Sequence, residues 1–392
     1  MKRTLLWVCI LSMVLAGGVF AEGQAEDETI KIGMYADLSA GTAQWGQDAE
    51  RGGRLRVKEV NESGGLLGRQ VELVVYDIKM SPTEAIQAYT RLVQQDGVVA
   101  VQGSLLSNTG LSVSPVAAEL KVPVVSRAMD ERATTPDFDP ENPGKDVDAN
   151  PYFFLTQPSA FEQSRIIAHY AVNELDLDTF AMLYSPANAY SLYLARGFEY
   201  YLDQWGKEMV GGFEFQGGDT DYRSQLTSIK QLNPDGLYVC NYLQQNANAV
   251  KQAQELGLDT VYLGNNSWYK PMDEVAGAAA DGGHFVFSIS ADDPSPLLQE
   301  FRDNYMAEYG QEARQHSYSG YDDVGFIIDA IERAGTTDTE AIRDAMEETD
   351  AFEGVLGTID IDPETHRPID LPLAILYFDG AEIKTAEFQY VP

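Results

Sequence analysis

The sequence predicts an α/β protein built as two doubly wound parallel-sheet lobes. From Thr29 onward, short β-branched runs alternate with amphipathic segments. The alternation comes as two series, about 29–126 and about 179–287, separated by an irregular stretch. Strands alternating with helices at this pitch imply mostly parallel sheets covered on both faces.

Residues 1–21 precede that pattern. Met1-Lys2-Arg3 gives a positive start, Leu5 to Phe20 is an apolar run, and Val19-Phe20-Ala21 offers small residues where a signal peptidase reads. The run is shorter than the roughly 20 residues a membrane span needs. A cleaved secretory signal is therefore expected, placing the mature chain in the periplasm or otherwise outside the cytoplasm. Cys9 lies too early to be a lipid-modified cysteine. Taking 21 residues off the 392 leaves 371, enough for two lobes.

The strand candidates follow in order: Ile30–Met34, Val71–Tyr76, Val98–Gln102, Val122–Ser126, Phe180–Tyr184, Gly236–Cys240, Val261–Leu263 and His284–Phe287. Between them Pro82–Gln95 places Ala85, Ala88, Tyr89, Leu92 and Val93 at helical spacing, and Phe161–Leu175, Ser191–Trp205, Gln245–Leu256 and Tyr318–Ala334 read the same way. Gly97 and Gly257 stand where helix ends favour a left-handed residue. Residues 133–151, rich in Pro, Asp and Asn, carry no periodicity and are expected to be a loop. Near the end, Ile359–Ile361 and Leu373–Phe378 read as strands, with Asp379-Gly380 as a hairpin turn before Ala381–Tyr390.

Composition excludes several functions. With Lys2 and Arg3 gone, 25 Lys and Arg face 61 Asp and Glu, a net charge of −36. Such a surface repels phosphate backbones and anionic lipid, so nucleic acid and membrane are not expected partners. Only Cys240 survives processing, which forbids an intramolecular disulfide. The glycines of Gly64-Gly65-Leu66-Leu67-Gly68 precede a strand and so mark a turn, not a dinucleotide fingerprint. His169, His284, His316 and His366 are scattered without metal-ligand spacing. The acidic runs 137–141 and 146–150 resemble calcium ligands in spacing but lack the glycine a calcium hand needs at its sixth position. No cofactor is called for.

A series of short motifs carries more information. A-Q-W-G (43–46), N-E-S-G-G-L-L-G (61–68), S-P-T-E-A (81–85), V-Q-G-S-L-L-S (101–107) and V-P-V-V-S (122–126) follow one another closely. Their order and spacing resemble the periplasmic leucine/isoleucine/valine-binding proteins, the solute receptors of branched-chain amino-acid ABC importers. The resemblance runs from about 29 to 380. It implies the type I periplasmic binding (Venus-flytrap) fold, with two lobes joined by three crossovers and a ligand trapped as they close. Residues 29–155 with 288–350 would form the N-terminal lobe, and 156–287 with 351–392 the C-terminal lobe. It also implies a membrane permease as partner and no enzymatic activity.

Site residues follow from the same resemblance. Ser107 would donate to a ligand carboxylate at a helix start, where free N–H groups and the helix dipole suit an anion; a plain N-cap serine is the alternative. Backbone groups near Ala128 would assist. Where the family has threonine this chain has Asp130, and where it has glutamate this chain has Asn266. Asp130 is thus the candidate ammonium partner, against an Asp paired with Arg127 or Arg132. Trp45, Tyr190, Tyr242 and Trp268 are candidate aromatic walls, with core packing the alternative for each. The expected ligand is an amino acid, an amide or a related small polar solute. Two other readings remain: a sensor serving a signalling receptor, and a secreted hydrolase using Ser107 or Ser126 beside a histidine.

Overall fold

Strands buried on both faces account for the apolar runs. The structure, a computed structural model, describes residues 29–145, 147–290 and 293–392; the expected signal segment lies outside them. In the first half, β1 (Ile30–Ala36), α1 (Ala43–Glu62), β2 (Val71–Asp77), α2 (Pro82–Arg91), β3 (Ala100–Gln102), α3 (Ser107–Leu120), β4 (Val124–Ser126) and β5 (Phe153–Leu155) build a sheet in the order β2-β1-β3-β4-β5. Every pairing in it is parallel. Ser81 begins α2 by accepting from the Glu84 amide (3.3 Å), with Pro82 at the first helical position. That helix widens into a π turn over Leu92–Asp96 and stops at Gly97, whose φ is +70°. The expected Pro82–Gln95 helix is therefore shorter as an α-helix.

The second half repeats the plan. After α4 (Ala160–Asn173) come β6 (Thr179–Tyr184), α5 (Ala189–Gln204), β7 (Glu208–Glu214), α6 (Arg223–Leu232), β8 (Gly236–Cys240), α7 (Leu243–Glu255), β9 (Val261–Gly264), α8 (Met272–Ala276) and β10 (His284–Phe287). These strands run β7-β6-β8-β9-β10, the same order as in the first sheet, and all parallel. The chain then returns to the first half as α9 (Pro296–Tyr309), α10 (Gln315–Ala334) and α11 (Thr339–Glu347), followed by two small hairpins, β11 (Phe352–Gly354) with β12 (Gly357–Ile359) and β13 (Ile361–Asp362) with β14 (Arg367–Pro368). Finally β15 (Leu373–Asp379) adds antiparallel to β10 and β16 (Glu382–Tyr390) antiparallel to β15, joined by a turn at Gly380-Ala381, one residue beyond the expected Asp379-Gly380.

One lobe boundary differs from expectation. Phe352, Ile359, Ile361 and Leu371 pack with the first core, against Phe154 and Ile327, and the Leu155 amide donates to the His366 carbonyl (3.0 Å). The chain enters the second sheet at Leu373, not at 351. Short hairpins bury too few residues to announce in sequence which core receives them.

α1 and α10 approach to backbone contact. A Cβ on Gly52 would stand 2.0 Å from the Ser317 carbonyl oxygen, and one on Gly320 would stand 1.9 Å from that of Ala49. Glycine is required at both points, and the approach carries the first turn of α10 to the first turn of α1. α10 also holds the crossings. Asp323 Oδ1 accepts from Thr156 (2.6 Å) and Arg127 Nε (2.9 Å), while Asp322 accepts from the Val355 and Leu356 amides (2.8 and 2.9 Å). Two adjacent buried carboxylates thus tie both the first and the last connecting segments to one helix.

Candidate functional site

In a doubly wound sheet the ligand crevice lies beyond the carboxyl ends of the strands, where the strand order reverses. In the first sheet that point falls between β1 and β3. The segments leaving them carry Trp45 and Ser107, and a small cavity there is lined by Asp37, Thr42, Trp45, Gly103, Ser104 and Leu106. In the second sheet it falls between β6 and β8, and the segments leaving those strands carry Tyr190 and Tyr242. The two switch points face each other. Trp45 meets Tyr242 edge-on with ring centroids 5.5 Å apart, and Tyr242 stacks with Tyr190 at 5.9 Å. Asn108, in the first turn of α3, accepts from the Ala189 amide at the start of α5 (3.0 Å). Gln315 Nε2 donates to the Asn266 carbonyl (3.3 Å). The cleft is therefore bridged from both sides.

The individual residues divide. Ser107 is buried at the first turn of α3, whose first intrahelical bonds run from Thr109 and Gly110 to Leu106, so its amide lies at the positive end of the helix. Ala128 is buried against that turn: a Cβ on Gly110 would stand 2.2 Å from the Ala128 Cβ, and the Ala128 amide donates to Ser126 Oγ (3.1 Å). Tyr190 donates to Gln163 Oε1 (3.0 Å), and burial pushes the Tyr190 and Tyr242 phenols up, so both are neutral. Asn266 is buried at the cleft edge. These residues, with Trp45, converge.

Two expectations fail. Asp130 is fully buried, but Arg132 grips both its oxygens, from Nε at 3.0 Å and Nη2 at 2.7 Å, and lies over the Tyr193 ring. A guanidinium two residues away outcompetes a ligand ammonium because it is already paired, bidentate and half-sheltered. Trp268 belongs to the second core. Its ring lies flat on Gly264, where a Cβ would be 2.2 Å away, and its Nε1 donates to the Val239 carbonyl (3.2 Å).

Sequence reasoning missed two cleft residues, Asn108 and His316, and the role of Arg127 at the crossings. His316 begins α10 with its ring 5.0 Å from Trp45, and its Nδ1 is buried without a partner. Arg127 is bound through Nε to Asp323 and through Nη1 to Gln157 (3.4 Å), yet its Nη2 is buried and unpartnered. No local pattern marks these positions; a helix brought by a remote glycine contact places His316.

Burial first, and the Arg127 cation second, pull His316 down to about 3. A depressed imidazole stays neutral in the fold while its unfolded counterpart takes a proton near pH 6.5. Its stabilising contribution is full above that pH and is lost as pH falls from about 6.5 towards 3. Burial raises Asp322 to about 6 and Glu131 to about 7, and their contributions run oppositely, lost as pH rises through those values. His316→Gln should therefore show a smaller drop in melting temperature than the parent between about pH 7 and pH 5. Parallel melting curves for the two proteins would refute the buried neutral assignment.

Among the described residues no hydrogen bond joins Ser107 or Ser126 to a histidine: Ser126 Oγ donates to the Ser104 carbonyl (2.8 Å). Nor does any group of three or more His, Cys, Asp and Glu among them form a metal cluster, the described part of the acidic loop included. Cys240 is buried and free. No helix among the described residues is long and apolar enough to cross a membrane.

Two doubly wound sheets meeting across paired switch points define a bilobal solute-binding protein. The chain belongs to the periplasmic binding protein family, whose model matches residues 29–380. It is 25% identical over 331 residues to the Leu/Ile/Val-binding protein BraC3 of Rhizobium johnstonii, covering 84% of this chain and 86% of that one. The branched-chain amino acid transporter substrate-binding protein LivJ of Streptococcus pneumoniae, solved with isoleucine, superposes with a TM-score of 0.79 at 26% identity, covering 92% of this chain and 100% of the other. An ABC transporter solute-binding protein of Rhodopseudomonas palustris BisB5, solved with 3,4-dihydroxybenzoic acid, gives 0.77 at 25% identity, with 92% and 97% covered. The family is extracytoplasmic and binds substrates for ABC transporters.

Proposed function

We propose that this chain captures an amino acid or a related small polar solute between its two lobes and presents the closed form to the permease of an ABC importer. The signal segment 1–21 would deliver it to the periplasm. The lobes comprise 29–155 with 293–371 and 156–290 with 373–392. The observation that carries the reading is the meeting of Trp45 with Tyr242 and Tyr190 across the cleft, beside the Ser107 helix start. Ligand favours closure because only the closed cleft offers contacts from both halves. Relatives solved with isoleucine and with 3,4-dihydroxybenzoic acid support a small carboxylate as cargo.

A thermal-shift screen over amino acids, amides and small organic acids tests this, followed by small-angle scattering. The cargo should stabilise the protein by about 2.7 kcal/mol at 100 times its dissociation constant, bind one per chain and reduce the radius of gyration. Turnover of a bound ester or amide, or the absence of any stoichiometric ligand in the three sets, would overturn the reading.

A further inference from the structure

One hydrogen bond across the cleft joins protein to protein at the place where two helices begin. Asn108, the second residue of α3, sends its side-chain oxygen not to its own helix but to the second half of the molecule, where it accepts from the Ala189 amide at 3.0 Å. Asn108 is exposed on the cleft rim, whereas Ala189 is buried. Ala189 is the first residue of α5, so no carbonyl within that helix can accept its N–H. The acceptor has to come from outside, and the residue that supplies it belongs to the other lobe.

The receiving end is held in place by a row of asparagines beyond the carboxyl ends of β6, β8 and β9. Asn188 caps α5 by accepting from the Tyr190 amide (3.1 Å) and donates to Asn241 Oδ1 (3.0 Å). Asn241 is fixed in turn. Its amide donates to Asn246 Oδ1 (2.9 Å), and its carbonyl accepts from the side chains of Asn246 (2.7 Å) and Asn265 (3.0 Å). Asn241, Asn246 and Asn265 are all buried, and a satisfied buried network is rigid. Asn265 directly precedes Asn266, whose carbonyl takes the other bridging bond from Gln315. Both bridges therefore end on one uncharged framework in the second lobe.

Closing the cleft also brings the positive ends of α3 and α5 together, which opposes closure. The Asn108 carbonyl oxygen, the negative end of an amide dipole, stands between them and offsets that repulsion.

We propose that Asn108 is an interlobe latch, its bond to the Ala189 amide favouring the closed arrangement whatever solute occupies the cleft. This rests on the solute-receptor reading only in that the lobes move. One such bond is worth about fivefold in the ratio of closed to open forms. Because the bond joins protein to protein, it raises the affinity of every solute by the same factor and leaves selectivity to the cleft residues.

Amide exchange of the mature chain with no solute added, resolved at Ala189, tests the bond itself. Asn108→Ala should speed that exchange about fivefold. Asn108→Asp keeps an acceptor and sets a full charge between two positive helix ends, so exchange should stay as slow as in the parent or slow further. Position 108 is exposed, so neither change empties a core site. Small-angle scattering of the same three proteins separates a latch from a local cap: Asn108→Ala should enlarge the radius of gyration, and Asn108→Asp should not. Equal Ala189 exchange in the parent and Asn108→Ala overturns the proposal. So does faster exchange in Asn108→Ala with an unchanged radius, or exchange in Asn108→Asp as fast as in Asn108→Ala. No cargo enters these measurements, so the receptor reading stands or falls separately on the solute screen.

Discussion

Asp323→Ala is expected to lower the unfolding free energy by about 3–5 kcal/mol, because it strands a buried guanidinium. Asp323 is fully buried, and its Oδ1 accepts from both Arg127 and Thr156. Arg127 is 1% exposed, so water cannot replace the lost carboxylate. The mechanism makes a second statement that a mere cavity would not. Adding Arg127→Met to Asp323→Ala removes the stranded charge and should return most of the stability, as replacement of a whole buried pair by apolar groups commonly does. Urea unfolding of the parent, both single variants and the double variant measures it. A double variant as unstable as the sum of the two singles would show that the pair is not the relevant unit.

Trp268→Ala should cost about 3–5 kcal/mol, the usual range for emptying a large buried aromatic site. Its ring is fully buried between Gly264 and the Phe285 and Phe378 rings, and its indole N–H occupies the Val239 carbonyl. Trp268→Phe should cost less, since it keeps most of the packing and loses one hydrogen bond. Ligand affinity measured well below the melting temperature should stay near that of the parent in Trp268→Phe. A large affinity loss without a stability loss would return Trp268 to the cleft.

The sequence reading was strongest where period and strand order dominate. The alternation from Ile30 to Phe287 is local, and a strand buried on both faces writes itself as an apolar run. It faltered where burial is partial: β7 contains Gly211 and Gly212 and pairs with one neighbour only, so its period is weak. It also faltered at Phe352–Leu371, where hairpins of two or three residues per strand carry no period.

In the cleft, Ser107, Ala128, Trp45, Tyr190 and Tyr242 came from the family resemblance and not from the hydrophobic period, and the fold places them at the carboxyl ends of the strands. Asp130 was misassigned since two arginines lay near it, and only the fold shows which one turns toward it. Arg127 instead reaches Asp323, 196 positions away.

The chain by itself thus determined that two α/β sheets would form and which loops would stand at their carboxyl ends, since both depend on hydrophobic period and connection order. Only the tertiary structure decided which charged groups neutralise one another, because ion pairing depends on distance in space, set by helix contacts such as Gly52 on Ser317 and Gly320 on Ala49.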